Sequence, residues 1–221
     1  MNSNEVFELM NQVATRGAVP QTPLHHAELA QLAVTTAQTN AGIVLQERAL
    51  TGQLVLRVRG SLDEASAAVQ SSIGVGLPGR LQFVGDPSNP DEVSLAWLSP
   101  DEWRLCCPIK EAYEIEEKLR QALSGVSGVT HAVVNNSGGF TMLEVSGPEV
   151  TNLLKKSTGY DIRPAHFPIG KVVGTSFAKT SVTLLRCEEQ TWQLWVRRSF
   201  ADYVWLWLQN AAREYGLKVS S

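Results

Sequence analysis

Few residues of this chain have both the type and the spacing for chemistry. Gly74, Gly76 and Gly79 spell Gly-x-Gly-x-x-Gly. A phosphate cradle of that form needs a hydrophobic strand before it and a helix after it, so that the N–H groups at the helix start meet the phosphate. Here residues 65–72 read as helix and residues 81–84 as strand, which is the reverse order, and nucleotide binding is not expected. His25 and His26 are adjacent, while His131 and His166 are isolated, so no helical pair or short metal-ligand spacing exists. No Gly-x-Ser-x-Gly elbow is present, and serine hydrolysis is not expected. Cys106 and Cys107 are neighbours whose side chains would leave a strand on opposite faces; with Cys187 they read as structural, reduced thiols.

Two segments remain as binding candidates. Arg197 and Arg198 precede the start of a helix, where their donors and the helix dipole suit an anion or a carboxylate; a solvated or structural pair is the competing reading. Residues 135–139, Asn-Asn-Ser-Gly-Gly, read as a turn, and the same composition occurs near ligands. The sequence does not separate these readings.

The elements that would position such residues occur twice. Residues 54–60 form a strand leading into Ser61 and Glu64, and residues 142–147 form a strand leading into Pro148 and Glu149. About 43 residues separate Gly60 from Trp103, and about 45 separate Gly147 from Trp192, so a duplicated unit is expected. The first repeat covers about 52–125. It reads as strand, helix to Val69 with a Ser61/Glu64 capping box, strand 81–84, exposed loop 85–90, hairpin 93–98 with 103–107, and helix 111–123. The second covers about 139–215: strand, helix with Pro148 in its first turn, irregular excursion 161–170, strands 172–177, 181–186 and 193–196, and a helix capped by Ser199 and Asp202. A short strand at 217–219 closes the chain. Residues 1–22 read as an extension with one weak helix carrying Val6, Leu9, Met10 and Val13, ahead of a single domain at 23–221 with a short helix in 25–35.

With 221 residues and 43% hydrophobic content the chain can bury a sizeable core. A net charge of −3 without long like-charge runs argues against nucleic-acid or polybasic membrane contacts. The longest apolar run, residues 204–208, falls far short of the roughly 20 residues of a spanning helix. No export signal is visible at the amino terminus, and a cytoplasmic location is expected.

The two copies differ in their last helices. In the first, Ala112, Ile115, Leu119, Ala122 and Leu123 occupy an arc of roughly 100°, enough for one buried face. In the second, apolar residues from Phe200 to Ala212 spread over roughly 200°, with Leu206 alone in the polar sector. Leaving Trp205 and Leu206 in water would forgo roughly 2–3 kcal/mol each, so both are expected to be covered. Three covers fit: a sandwich between the two halves, another polypeptide, or a ligand pocket lined by the tryptophans.

Trp-Val-Arg-Arg-Ser-Phe-Ala-Asp-Tyr-Val-Trp-Leu-Trp-Leu at 195–208 resembles the carboxyl-terminal signature of the sarcosine oxidase gamma subunit family. Leu-Thr-Gly-Gln-Leu-Val-Leu-Arg at 50–57, Leu-Ser-Pro-Asp-Glu-Trp at 98–103, Asp-Ile-Arg-Pro at 161–164 and Phe-Pro-Ile-Gly at 167–170 support it. That family is similar in turn to the glycine-cleavage T-protein. The resemblance therefore implies an α+β fold, a duplicated strand-helix-strand-strand-helix repeat of the aminomethyltransferase folate-binding-domain type. Where T-proteins carry a carboxylate-bearing hairpin, residues 172–181 here contain no Asp or Glu, so the position for a general acid or base is occupied by neutral residues or lysine.

The resemblance implies a noncatalytic, structural subunit of a heterotetrameric sarcosine oxidase. Its partners, the alpha, beta and delta subunits, would carry FAD, FMN, NAD and tetrahydrofolate and convert sarcosine to glycine, hydrogen peroxide and a folate-bound one-carbon unit. Arg197, Arg198, Phe200, Tyr203, Trp205 and Leu206 are the expected partner-facing residues. No catalytic, cofactor or metal residue is assigned to this chain. The competing readings are a stand-alone folate-binding aminomethyltransferase-like protein using the cleft between the repeats, and a scaffold of a related N-methyl amine oxidase.

Overall fold

Two glycines show how far the duplication extends. Gly60 and Gly147 follow the strands that open the repeats, and both take a left-handed backbone, with φ of 111° and 116°. A Cβ at Gly60 would collide with the carbonyl of Gly128, and one at Gly147 with the carbonyl of Gly42. Only glycine meets both demands, conformation and close approach. The strands that begin just after Gly42 and Gly128 are therefore equivalent as well.

The computed structural model describes residues 21–37, 41–48 and 50–220. The helix expected around Val6–Val13 lies outside them. In chain order the elements are α1 (Leu29–Thr35), β1 (Ile43–Glu47), β2 (Gly52–Arg59), α2 (Leu62–Ile73), β3 (Phe83–Val84), β4 (Ser94–Ser99), β5 (Glu102–Cys107), α3 (Ala112–Ser124), β6 (Thr130–Asn135), β7 (Phe140–Ser146), α4 (Val150–Lys155), β8 (Val172–Phe177), β9 (Thr180–Glu188), β10 (Thr191–Arg197), α5 (Ala201–Ala212) and β11 (Leu217–Ser220). They build two sheets, β3-β4-β5-β2-β6 and β11-β1-β7-β10-β9-β8. With β11 set aside, the two orders superimpose strand for strand.

The repeats exchange strands. β6 lies ahead of the second repeat but pairs antiparallel with β2 of the first, Leu56 opposite Val133. β1 lies ahead of the first repeat but pairs antiparallel with β7 of the second, Leu45 opposite Val145, and takes β11 on its other edge in parallel register. The sequence reading anticipated neither β1 nor β6. Both are short, and β6 buries only Val133, so no local periodicity announces them.

Each sheet carries helices on one face and meets the other sheet on its second face. Along β5, Trp103, Leu105 and Cys107 join Leu54, Leu56 and Val133 beneath α2 and α3. Along β10, Trp192, Leu194 and Val196 join Leu143, Leu153 and Val204 beneath α1, α4 and α5. The alternate residues face across: Ala96 and Cys106 of the first sheet meet Val172, Leu185 and Trp195 of the second. The sheets also touch at one edge, where Phe83 N–H donates to Gly170 O at 3.1 Å and Val172 N–H to Leu81 O at 3.0 Å. Leu81 has a φ of 60°, which ends the expected 81–84 strand and leaves only Phe83–Val84.

Three cap expectations are corrected. Ser61 is the N-cap of α2, but its side chain makes no capping bond. α4 starts two residues after Pro148, with Glu149 as N-cap. At the start of α5 a 3-10 turn, Arg198–Phe200, displaces the expected Ser199 cap; Phe200 is the N-cap, and Asp202 instead accepts from His26 Nε2 at 3.0 Å.

Candidate functional site

Helix α5 is laid down on the outer face of the second sheet, not between the two halves. Ala201, Val204, Trp205, Leu208 and Ala212 form its buried stripe at spacings of three and four. Its wide apolar arc is met by two flanking neighbours. The Tyr203 hydroxyl accepts the Lys179 N–H at 3.2 Å from the β8–β9 turn, and the Trp207 indole N–H donates to Ser157 Oγ at 3.0 Å beyond α4. A shallow open groove of about 470 Å³ runs beside Trp207 between Lys156 and Lys179.

The six expected partner-facing residues divide accordingly. Arg197 ends β10, exposed, and Arg198 and Phe200 follow in the exposed 3-10 turn. Phe200 is 41% exposed and Leu206 55%, the latter on the solvent stripe with Asp202 and Asn210. Tyr203 is half-buried. Trp205 is the correction: at 1% exposure it belongs to the core of its own chain, covered by the second sheet, and has no surface to offer a partner. Leu206 is covered by nothing within the described residues, which leaves its side chain open to a partner.

Residues that the sequence reading passed over lie between the sheets. Arg104 of β5 is 5% exposed, and its Nε and Nη1 atoms are buried without a hydrogen-bond partner. Its guanidinium lies 3.7 Å from the centroid of the Phe140 ring and 5.4 Å from that of Trp195; Arg197 approaches the same Phe140 ring at 5.5 Å. Burial pulls the Arg104 pKa below the ordinary arginine value, and Arg197 adds to the effect. Two nearby polar side chains are tied down differently. Gln53 donates through Nε2 to Phe140 O at 3.2 Å, while its own Oε1 is buried and unpaired. Glu102 turns to Arg57, 3.3 Å away.

Magnitudes mark Arg104 as unusual. A desolvated cation–π contact is worth about 2 kcal/mol or more, whereas the effective cost of burying an unpaired ion is on the order of several kcal/mol. Arg186, equally buried at 6%, has the ordinary solution: it donates to the carbonyls of Phe167, Glu188 and Glu189 at 2.9, 3.3 and 3.1 Å. The sequence carried one signal for Arg104. It is the lone charge inside a strand, Trp103 to Cys107, whose other residues are apolar on both faces.

Under the 85–93 loop, bounded by Phe83, Cys106, Met142 and Trp195, lies a cavity of about 20 Å³, on the scale of a single water and far below a pterin. Asp86, at its rim, is bound to the N–H and hydroxyl of its own loop's Ser88 at 2.8 and 2.6 Å, which holds its carboxyl below the usual range. Cys106 and Cys107 point to opposite faces of β5, and burial raises their thiol pKa values to about 11 and about 12. Gly74, with φ 81°, caps the end of α2. Among the described residues no group of three metal-capable side chains occurs. No helix among them is long and apolar enough to cross a membrane.

Comparison with known proteins identifies the relatives of this chain. The profile of the sarcosine oxidase, gamma subunit family matches residues 59–214. The sarcosine oxidase subunit gamma of an Arthrobacter species is 32% identical over 207 residues, 92% of this chain and 97% of that one. The corresponding protein of Corynebacterium sp. strain U-96 is 33% identical over 198 residues, 88% of this chain and 91% of that one. In three dimensions the chain superimposes on one chain of the heterotetrameric sarcosine oxidase of Corynebacterium sp. U-96, solved in complex with pyrrole 2-carboxylate. The TM-score is 0.77 at 29% identity, covering 92% of this chain and all of that chain. The glycine cleavage aminomethyltransferase T of Bartonella henselae shares the fold, with a TM-score of 0.61 at 11% identity over 91% of this chain and 59% of that one.

Proposed function

Because this chain belongs to the sarcosine oxidase gamma subunit family, we propose that it serves as a noncatalytic, structural subunit of a heterotetrameric sarcosine oxidase. The observation that carries this reading is the near full-length match to gamma subunits and to a chain of a heterotetrameric complex. The physical counterpart is a pair of exposed apolar residues, Phe200 and Leu206, accompanied by the exposed Arg197 and Arg198. An exposed apolar patch with a polar rim suits a protein partner.

In this reading the alpha, beta and delta subunits hold FAD, FMN, NAD and tetrahydrofolate and oxidise sarcosine in the cytoplasm, giving glycine, hydrogen peroxide and a folate-bound one-carbon unit. The gamma chain contributes packing surface. Arg197, Arg198, Phe200 and Leu206 are the residues we place at the contact, with Tyr203 at its margin.

Co-expression with and without the neighbouring subunits tests this. The expected outcome is a stable four-subunit particle whose sarcosine-dependent peroxide production survives replacement of any carboxylate on this chain, and whose assembly collapses when the chain is omitted. A chain that stays monomeric beside its intended partners would sink the proposal.

A further inference from the structure

The two sheets end in β3, β6, β11 and β8, and three of these edges are closed within the chain. β3 is two residues long. On β6 the Val133 carbonyl accepts from Arg120 Nη2 of α3 at 2.6 Å, and the residue is 1% exposed. On β11 the Val219 N–H donates to Thr36 Oγ1 at 2.9 Å. Shortness and covering side chains are means by which proteins keep sheet edges from pairing with other chains. β8 lacks them. Its six residues, Val172–Phe177, include neither a charge nor a proline.

The register of β8 tells which backbone groups stand open. Arg186 N–H donates to Lys171 O at 3.2 Å, and in an antiparallel ladder every second residue turns to the partner strand, so 173, 175 and 177 face β9 while 172, 174 and 176 face outward. The first outward position is used. Val172 N–H donates to Leu81 O at 3.0 Å, beside an antiparallel bridge between Gln82 and Lys171. A piece of the first repeat thus already lies along this edge, until Leu81, with φ 60°, turns the chain off it. Gly174 and Ser176 come next, and both are exposed. Because glycine has no side chain, the exposure of Gly174 is backbone exposure, and a Cβ placed there would meet nothing within 4 Å. Ser176 O has a contact from Thr175 Oγ1 at 3.5 Å, the limit of a hydrogen bond.

We infer that the outer edge of β8 at Gly174–Ser176 is a strand-addition site for an extended segment of a partner subunit, held by hydrogen bonds to the backbone of those two residues. This rests on the subunit role proposed above and places a contact apart from the Arg197–Leu206 surface. The open groove of about 470 Å³ reaches Ser176 and leaves room for a side chain of the added strand. A second copy of this chain fits less well. Paired with itself antiparallel about Thr175, β8 would bring the Ala178–Lys179 turn of the other copy against Val172, where Leu81 already sits.

Hydrogen exchange on the full wild-type chain, alone and within the co-expressed assembly, tests the site. In the isolated chain the Gly174 and Ser176 amides are expected to exchange quickly, while the Thr175 amide of the same strand, turned to β9, exchanges slowly. In the assembly the two outward amides are expected to slow by about tenfold or more. Ser176→Pro removes one outward donor without touching the β9 ladder and is expected to weaken assembly by about tenfold. Gly174→Lys, at a position with open space for a side chain, is expected to fold normally and weaken assembly by about threefold, which keeps the test decisive should the proline variant misfold. Unchanged exchange of both amides in an intact assembly would overturn the site and leave the subunit role standing. Protection already present in the isolated chain would also overturn it: if independent of concentration, the chain's own residues cover the edge, and if concentration-dependent, a second copy does. Failure of the wild-type chain to assemble would remove the subunit role, and this site with it.

Discussion

Trp205 and Leu206 are adjacent and similarly apolar, yet one is enclosed and the other stands in solvent. Burial at single residues also sets the thiol chemistry. Desolvation lifts Cys106 to about 11 and Cys107 and Cys187 to about 12, from an ordinary value of 9.0. A raised folded-state pKa contributes stability that is complete below the unfolded value and lost as pH rises through the folded one. Stability is therefore expected to be insensitive to these groups at neutral pH and to decline from about pH 9 upward, as the thiols ionise in the unfolded chain first. Urea titrations from pH 7 to about pH 10.5 check this, and the triple variant Cys106→Ala, Cys107→Ala, Cys187→Ala should show a flatter alkaline limb. Rapid labelling of Cys106 or Cys107 in the native chain by a thiol reagent at neutral pH would contradict the burial on which the argument stands.

At the scale of an element, α5 has three functions on three sides. Its Ala201–Val204–Trp205–Leu208–Ala212 stripe is core, its Tyr203 and Trp207 flanks are tied to Lys179 and Ser157, and its Leu206 stripe is free. Substitution should separate them. Trp205→Ala is expected to cost about 3–5 kcal/mol of chain stability. Leu206→Asp should leave stability within about 0.5 kcal/mol while weakening assembly with the partner subunits. Denaturant melts of the isolated chain, read beside co-purification yields, distinguish the two. A large stability loss in Leu206→Asp would mean that the residue is a core contributor after all. The width of the apolar arc was legible in the sequence. Which part of it the chain covers itself was not, because periodicity gives angles around the helix axis and says nothing of what packs there.

The strand exchange is a property of the whole molecule. β1 completes the sheet of the second repeat and β6 that of the first, each through long-range antiparallel pairing. Neither repeat can therefore finish its sheet alone. Separate fragments 21–127 and 128–220 are each expected to remain largely unfolded, since the first lacks β6, the partner of β2, and the second lacks β1, which joins β7 to β11. Mixing them should restore native-like circular dichroism with a concentration-dependent midpoint. Independent cooperative unfolding of either fragment would refute the interlock. The sheets themselves meet through Ala96, Cys106, Val172, Leu185 and Trp195.

The sequence by itself determined the duplication, the order of most helices and strands, the lack of metal-ligand spacing among its histidines and cysteines, and the family. All of these are local or repeat-level patterns, set by periodicity, turn chemistry and motif strings that need no partner to be read. Tertiary structure alone decided that β1 and β6 cross to the other repeat, that Trp205 is enclosed while Leu206 is not, and that Arg104 is buried between the sheets without an acceptor. Each of those outcomes depends on which distant surface arrives at a residue. Strand pairing, burial and charge compensation are energies of neighbours, and neighbours far apart along the chain exist only once it has folded.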